Sequence, residues 1–309
     1  MQAATAPAAL LPSGLSAQEL TPLPIAGTPD EDMIGSFWAQ QSGIFRKYGI
    51  DADVHTISSG AAITAAVIGG SLSIGKSSLL NLIKAHVKGV PLVVVAASLL
   101  YHADMPSSAL VVAKASPVRT GRDLNDATIA VTSLGDFYSL MMSAWVDANG
   151  GDAQTLRFVE LASGAAAAAV TAGRVVATIL PQPMLDQMMR TGNFRIVDHP
   201  FNVVSRLFVM TAYFCTADYL AQNAGLVARF RQGLGESVAY VNAHRAQMVP
   251  IIAKYSNTDE ATVAALPPVP LAQPSQLGPP LIQPLIDIAV RYKQIDRGFP
   301  SKELVAAGV

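Results

Sequence analysis

The chain of 309 residues has one cysteine, Cys215, and only 14% charged and 6% aromatic residues. A single cysteine excludes internal disulfides and any metal site built from several thiolates. Cys215 follows a phenylalanine in an apolar run, where a lone thiol reads as core packing rather than as a nucleophile. The 21 Lys+Arg nearly balance the 22 Asp+Glu and form no basic cluster, so the footprint of a nucleic-acid binder is missing. Long apolar runs are missing as well. The longest, around residues 90–100, ends in Tyr101-His102-Ala103-Asp104, well short of the roughly 20 residues that span a bilayer. The five histidines lack HExxH spacing, and no GxSxG elbow, Ser/His/Asp arrangement or paired-carboxylate pattern stands out. No metal or cofactor is implied, and the residues favour binding over bond-making in a soluble chain.

The sequence does have a 51% apolar share and a length suited to one or two domains with a sizeable core. Residues 1–19, rich in Ala and Pro, read as a leader remnant or a disordered lead-in. From Leu20 onward short β-like runs alternate with helix-like stretches, the rhythm of an α/β protein with mostly parallel sheets. Strands are expected over 22–27, 51–57, 71–75, 92–97, 128–131, 156–160, 175–180, 194–197 and 205–214. Helices are expected to begin near Asp32, Ala61, Ser78, Asp136, Ala165, Pro183, Asp218 and Leu226. Seven prolines over 267–284 indicate a wrapping loop or short helices separated by stops.

An internal repeat organises this pattern. Shifted by 104 residues, Ile25-Ala26-Gly27-Thr28 falls on Ile129-Ala130-Val131-Thr132, and Asp32 on Asp136. In the same register Ser59-Gly60-Ala61-Ala62 falls on Ser163-Gly164-Ala165-Ala166, and Gly69 on Gly173. Two similar βαβαβ units are expected, one beginning near Thr21 and one near Asn125. In open parallel sheets ligands sit beyond the carboxyl ends of the strands, where helix N-termini present free N–H groups. The repeat therefore names three loops twice: 28–32 with 132–136, 58–60 with 162–164, and 76–78 with 180–182. Two such sheets with facing loops make a clamp.

One motif points elsewhere. Gly70-Ser-Leu-Ser-Ile-Gly75-Lys76-Ser77 fits the phosphate-loop pattern GxxxxGK[ST]. Yet Leu72 and Ile74 alternate with Ser71 and Ser73 as in a half-buried strand, and the equivalent stretch of the second repeat, Arg174 to Pro183, reads as strand and loop. Residues 71–75 are therefore expected as a strand, with Lys76-Ser77-Ser78 as the loop before the next helix.

The segment Ser36-Phe-Trp-Ala-Gln-Gln-Ser-Gly-Ile-Phe-Arg-Lys-Tyr-Gly-Ile-Asp-Ala-Asp-Val is followed by Ser59-Gly60 and a short helix ending at Gly69-Gly70. With Ser108-Ala-Leu-Val-Val-Ala-Lys-Ala-Ser-Pro-Val-Arg-Thr and Asp123-Leu-Asn-Asp-Ala-Thr-Ile-Ala-Val, it resembles the solute-binding proteins of nitrate/sulfonate/taurine ABC importers, related to the thiamine-pyrimidine-binding group. The resemblance runs from about Leu20 to Asn242. It implies a type II periplasmic-binding-protein fold, with two α/β lobes and a ligand cleft between them. Lobe 1 would comprise residues 20–104 plus 205–309, and lobe 2 residues 105–204. It further implies a periplasmic monomer that captures one small ligand for a membrane permease and ATPase; Lys76 and the serine-bearing helix starts point to a small organic anion (a sulfonate, carboxylate or aromatic acid) as that ligand. Many relatives carry small neutral residues where this chain has Lys76, and the cysteine-rich motif of the pyrimidine-synthesising branch is absent. An enzyme on the same two-lobed fold acting on a small heterocycle, and a nucleotide-binding protein, are the alternatives.

Candidate ligand-binding residues follow from the paired loops. Lys76, between strand and helix, could hold an anion with the nearby helix amides, or be a solvated surface lysine. Ser77, Ser78, Ser59 and Ser163 could contact ligand or cap helices, and Gly60 and Gly164 would let a ligand approach the backbone closely. Thr132, Ser133, Gly135 and Asp136 form the loop with the richest set of small hydroxyls; Asp136 could cap its helix or meet an amine. Phe137 or Tyr138 could stack on the ligand. In the matching loop Thr28 and Pro29 lead into an acidic rim of Asp30, Glu31 and Asp32, whereas Phe37 and Trp38 read as core. Gln182, held between Pro181 and Pro183, could donate or accept a hydrogen bond.

Overall fold

The computed structural model describes residues 20–182, 184–266 and 269–306. Its strands are β1 (Thr21–Gly27), β2 (Ile50–Thr56), β3 (Ile74–Ser78), β4 (Leu92–His102), β5 (Ser108–Ala113), β6 (Thr128–Val131), β7 (Arg157–Glu160), β8 (Ala177–Pro181), β9 (Phe194–Asp198) and β10 (Leu207–Thr216). Helices α1 (Ile34–Gln41) and α2 (Ile44–Lys47) lie between β1 and β2; α3 (Gly60–Ile68) and α4 (Leu79–Val87) flank β3. In the second repeat α5 (Phe137–Ala148) follows β6, α6 (Ser163–Thr171) follows β7 and α7 (Met184–Arg190) follows β8. The C-terminal part adds α8 (Ala217–Ala243), α9 (Arg245–Ser256), α10 (Glu260–Ala264) and α11 (Gln283–Arg291).

Two five-stranded sheets result, in the orders β2-β1-β3-β10-β4 and β7-β6-β8-β5-β9. The duplication is visible in both. β1 pairs in parallel with β2 and β3, as β6 does with β7 and β8, and an antiparallel strand, β10 or β5, closes each set. This is the mixed α/β architecture of a type II periplasmic-binding protein. The chain passes between the sheets twice among the described residues, from β4 to β5 and from β9 to β10. The two crossings are tied by Ala103 N–H donating to Arg206 O at 2.9 Å. One apolar cluster runs from Leu80 on α4 and Leu100 and Phe208 on the first sheet, through Phe201, to Leu110 on the second sheet and Met142 and Trp145 on α5. Separate clusters cover the outer faces, one under α1, α8 and α9, the other under α6 and α7.

Local chemistry explains several details. β1 tolerates Pro22 and Pro24 because its ladder with β3 begins only at Ile25, so a proline nitrogen there forfeits no sheet hydrogen bond on that side. β5 was not among the expected strands. It is nevertheless buried from Ser108 to Val112 and paired on both sides, so it shows a continuous apolar run instead of alternation. The two helix starts expected near Asp218 and Leu226 belong to one element, α8, which kinks at Asn223 (φ −128°, ψ 29°). The proline-rich stretch forms short turns at Pro274–Gln276 and Pro279–Leu281 before α11. The helix start expected at Pro183 lies outside the described residues, as do the expected lead-in over residues 1–19 and Pro267 and Pro268.

The segment that imitates a phosphate loop is a helix end and a strand. Gly70 (φ +74°) takes the left-handed conformation that terminates α3, which glycine adopts at least cost. Gly75 sits inside β3, where a Cβ would meet Phe214 Cζ at 2.6 Å and Ile63 Cγ2 at 2.9 Å. The strand is displaced from its expected place, however. It spans Ile74–Ser78 rather than 71–75, which takes Lys76 and Ser77 out of the expected loop and into the sheet. The reason is pairing: Tyr213, Ala212 and Thr211 of β10 lie opposite Lys76, Ser77 and Ser78.

Candidate functional site

A cavity of about 300 Å³ lies where the two sheets face each other. From the first sheet come Asp30, Glu31 and Asp32, in the loop beyond β1, together with Ser78 at the end of β3 and Thr211 on β10. From the second come Ser108 at the start of β5, Phe137 and Tyr138 at the start of α5, and Pro181 and Gln182 at the end of β8. Phe201 of the second crossing and Leu266, Val269 and Leu271 of the C-terminal part add to the wall, with Leu99, Ser107 and Met210. The cavity thus sits beyond the carboxyl ends of β1, β3 and β8, the position that parallel sheets reserve for ligands.

Its polar floor is an ion-pair cluster. Lys76 Nζ stands 2.5 Å from Asp32 Oδ1 and 3.2 Å from Asp30 Oδ2, with the lysine side chain 0% and the Asp32 side chain 2% exposed. Asp32 Oδ2 also accepts from Ser98 Oγ (2.9 Å) and Thr211 Oγ1 (2.5 Å). Burial pulls the Lys76 pKa down, but the charges of Asp32 and then Asp30 outweigh it, and the net shift is upward. At Asp30 desolvation pushes the pKa up. The Lys76 charge and the hydrogen bond from Thr28 outweigh it, and the carboxyl ends below its usual range. Glu31 goes the other way, because desolvation exceeds the pull of Arg245, whose Nε lies 2.9 Å from Glu31 Oε1. Tyr255 braces this loop by donating to the Glu31 carbonyl at 2.9 Å.

The residues named from sequence fall into three groups. Ser78, Phe137, Tyr138 and Gln182 line the cavity. Ser78 also caps α4, its Oγ accepting from Asn81 N–H at 3.3 Å, and Gln182 Nε2 donates to Asp186 Oδ1 at 3.0 Å. A second group stands next to the wall. Thr28 donates to Asp30, exposed Pro29 follows it, and Lys76 and Ser77 are enclosed behind the wall in β3. Asp136 acts as the cap of α5, accepting from Ser139 N–H (2.7 Å), Ser133 N–H (3.0 Å) and Thr132 Oγ1 (2.6 Å); the Gly135 carbonyl accepts from Lys84 Nζ at 2.8 Å. The third group serves helix starts away from the lining. Ser59 caps α3, and Gly60 packs there so tightly that a Cβ would meet Ser77 Oγ at 2.7 Å. Ser163 opens α6, beside exposed Gly164.

Lining residues outside the sequence-derived set include Ser108, Phe201, Thr211, Leu266, Val269 and Leu271. These come from antiparallel strands, a crossing and the C-terminal part, none of which belongs to the repeat that identified the loops. The acidic rim was readable as a rim, and its pairing with Lys76 was not. Among the described residues no group of three or more His, Cys, Asp or Glu could hold a metal ion, and no helix is long and apolar enough to cross a membrane. Cys215 is buried, and burial pushes its thiol up to about 12.

No curated protein sequence matches the chain. Among solved structures it is similar to the periplasmic aliphatic sulphonate binding protein SsuA from Escherichia coli, with 18% identity, a TM-score of 0.77 and coverage of 93% of this chain and 92% of that one. It is also similar to the alkanesulfonate-binding protein SsuA from Xanthomonas axonopodis pv. citri bound to MOPS (17% identity, TM-score 0.69, coverage 95% and 99%). A third likeness is to the periplasmic nitrate-binding protein NrtA from Synechocystis PCC 6803 (15% identity, TM-score 0.61, coverage 79% and 69%). At such identities these likenesses establish a shared fold. The family described as NMT1/THI5 like matches residues 30–248, more than half of the sequence. The chain belongs to the NMT1/THI5-like family.

Proposed function

We propose that the chain is the solute-binding component of an ABC importer, a periplasmic monomer that captures a small organic molecule and delivers it to permease and ATPase subunits. The observation that carries this reading is the cavity itself, whose walls come from both sheets at their ligand-bearing ends. A ligand touching both walls favours whichever conformation brings them together, and the two crossings would serve as the hinge for such closure. The lobes that move would be residues 20–104 with 205–309, and 105–204; each contains one whole sheet. Ser78, Phe137, Tyr138 and Gln182 are the sequence-named residues placed to touch the ligand. That structural neighbours are named as sulphonate-binding and nitrate-binding proteins supports the solute-binding part of this reading.

Binding, rather than turnover, is supported by the state of the carboxylates. Asp30 and Asp32 are joined to Lys76, which leaves neither poised as a free acid or base. The expectation of an acidic solute rested on Lys76 standing in a loop. With that ammonium enclosed, an acid still has in its favour the starts of α4 and α5 at the cavity and the ligands of the neighbours. It is the second reading.

Native mass spectrometry of the purified chain, followed by small-angle scattering with the molecule so identified, tests the function. One small molecule per chain and a smaller radius of gyration on saturation are expected. Absence of any stoichiometric small molecule, or saturation without compaction, overturns it.

A further inference from the structure

We propose that the solute is a small organic cation, a protonated amine or amidine on an aromatic or branched apolar body, with its charge at Asp30 and its body against Phe137 and Phe201. The proposal rests on the solute-binding reading of the same cavity.

The charges of the wall carry it. Asp30, Glu31 and Asp32 line the cavity, and among the described residues no Lys, Arg or His does. Two cations answer these three carboxylates: Lys76, shared by Asp30 and Asp32, and Arg245 beside Glu31. One negative charge is left over, and it belongs to Asp30. Asp32 is enclosed and accepts from Lys76, Ser98 and Thr211. Asp30 is 61% exposed at its side chain, and both of its side-chain hydrogen bonds, from Thr28 and Lys76, fall on Oδ2. Its Oδ1 remains to accept from a ligand.

The opposing contribution is smaller. A helix start is worth roughly half a positive charge, further reduced by solvent. At α5 the Asp136 carboxylate already accepts from Ser133 and Ser139 N–H, which cancels that contribution locally. At α4 only Ser78 intervenes, so one screened half-charge opposes one whole carboxylate.

A second observation comes from the facing wall. Ser108 is 2% exposed, and among the described residues its Oγ has no hydrogen-bond partner although the residue lines the cavity. A buried hydroxyl without a partner is uncommon, and its lone pairs suit an ammonium N–H. Phe137 and Phe201 meet edge-on with ring centroids 5.1 Å apart, and the face of such a ring attracts a cation as well as an apolar body. About 300 Å³ is at the small end of ligand cavities, which limits the body to one ring or its equivalent.

Calorimetry of the full chain with 2-phenylethylamine, 2-phenylethanol and 3-phenylpropionate tests the charge on a nearly constant body. The amine is expected to bind at least tenfold tighter than the other two. Asp30→Asn should weaken the amine at least tenfold more than it weakens 2-phenylethanol; Ser108→Ala should weaken the amine several-fold. Equal or tighter binding of the alcohol or the acid overturns the cation, as does binding of none of the three, or an acid found in the purified protein. None of these results touches the solute-binding reading, which falls only if the chain yields no stoichiometric small molecule or does not compact on saturation.

Discussion

Lys76 Nζ and Asp32 Oδ1 lie 2.5 Å apart with both side chains enclosed, joining β3 to the loop beyond β1 directly behind the cavity. Removing one member of such a pair leaves a buried, uncompensated charge, which typically costs about 3–5 kcal/mol; removing both often costs much less. Lys76→Met should therefore lower the unfolding free energy by about that amount. The double variant Lys76→Met/Asp32→Asn should recover a substantial part, because an amide still accepts from Ser98 and Thr211. Urea unfolding of the two variants and the parent checks this; a double variant weaker than the single one contradicts it.

Alkaline pH should unfold the protein through its enclosed phenols. Burial pushes Tyr213 up to about 12, against the easing effect of its hydrogen bond with Ser36, and burial sets the same direction for Tyr101, also to about 12. A group whose pKa rises on folding contributes stability that is complete below its unfolded value, here 10.0, and is lost as pH climbs through the folded one. Lys76, raised from 10.5 by Asp32 and Asp30 against its burial, has the same sign. The melting temperature should hold up to about pH 10 and fall steeply between about 10 and 12, with tyrosinate absorbance rising in step. Tyrosinate appearing near pH 10 with no loss of stability would contradict this.

Gly75→Ala should destabilise by about 1–3 kcal/mol, since the added methyl must displace Phe214 and Ile63 in a packed core. Gly70→Ala should cost about 1–2 kcal/mol for the left-handed backbone alone. Denaturant unfolding measures both. Calorimetry with ATP should give no heat of binding for the parent or for Lys76→Ala; nucleotide binding lost in that variant would restore the phosphate-loop reading of Gly70–Ser77.

Lys84→Met should loosen the approach of the two sheets. Lys84 Nζ on α4 donates to the Gly135 carbonyl at 2.8 Å, beside the cap of α5. A charge-assisted hydrogen bond of this kind is worth about 1.5–3 kcal/mol, so the ratio of closed to open forms should fall at least about tenfold. Small-angle scattering should show a larger radius of gyration without ligand, and calorimetry a weaker affinity. Unchanged dimensions would mean that the bond is incidental to closure.

Much of the frame was legible from side-chain pattern. The offset of 104 residues located β1 with β6, β2 with β7, α3 with α6 and β3 with β8, because each repeat buries the same faces in the same order. Four of the cavity's residues, Ser78, Phe137, Tyr138 and Gln182, were legible for the same reason: they follow strands whose carboxyl ends the repeat had placed. Ser108 and Thr211 were not: the strand carrying Thr211 was expected, but neither antiparallel strand belongs to the repeat, and the local period does not say which strand of a sheet a distant segment pairs with.

The sequence alone determined the α/β rhythm, the duplication, the acidic run Asp30-Glu31-Asp32 and the presence of a strand near the glycine-rich segment, though not its bounds, all of which follow from local periodicity and composition. Tertiary structure alone decided which charges meet. The position of Lys76 depends on β10, more than 130 residues later, pairing across β3 and drawing the lysine inside. Once enclosed, an ammonium must take a carboxylate as partner, and the nearest stood in the loop beyond β1. That choice, made by packing over long range, leaves the cavity wall with a residual negative charge.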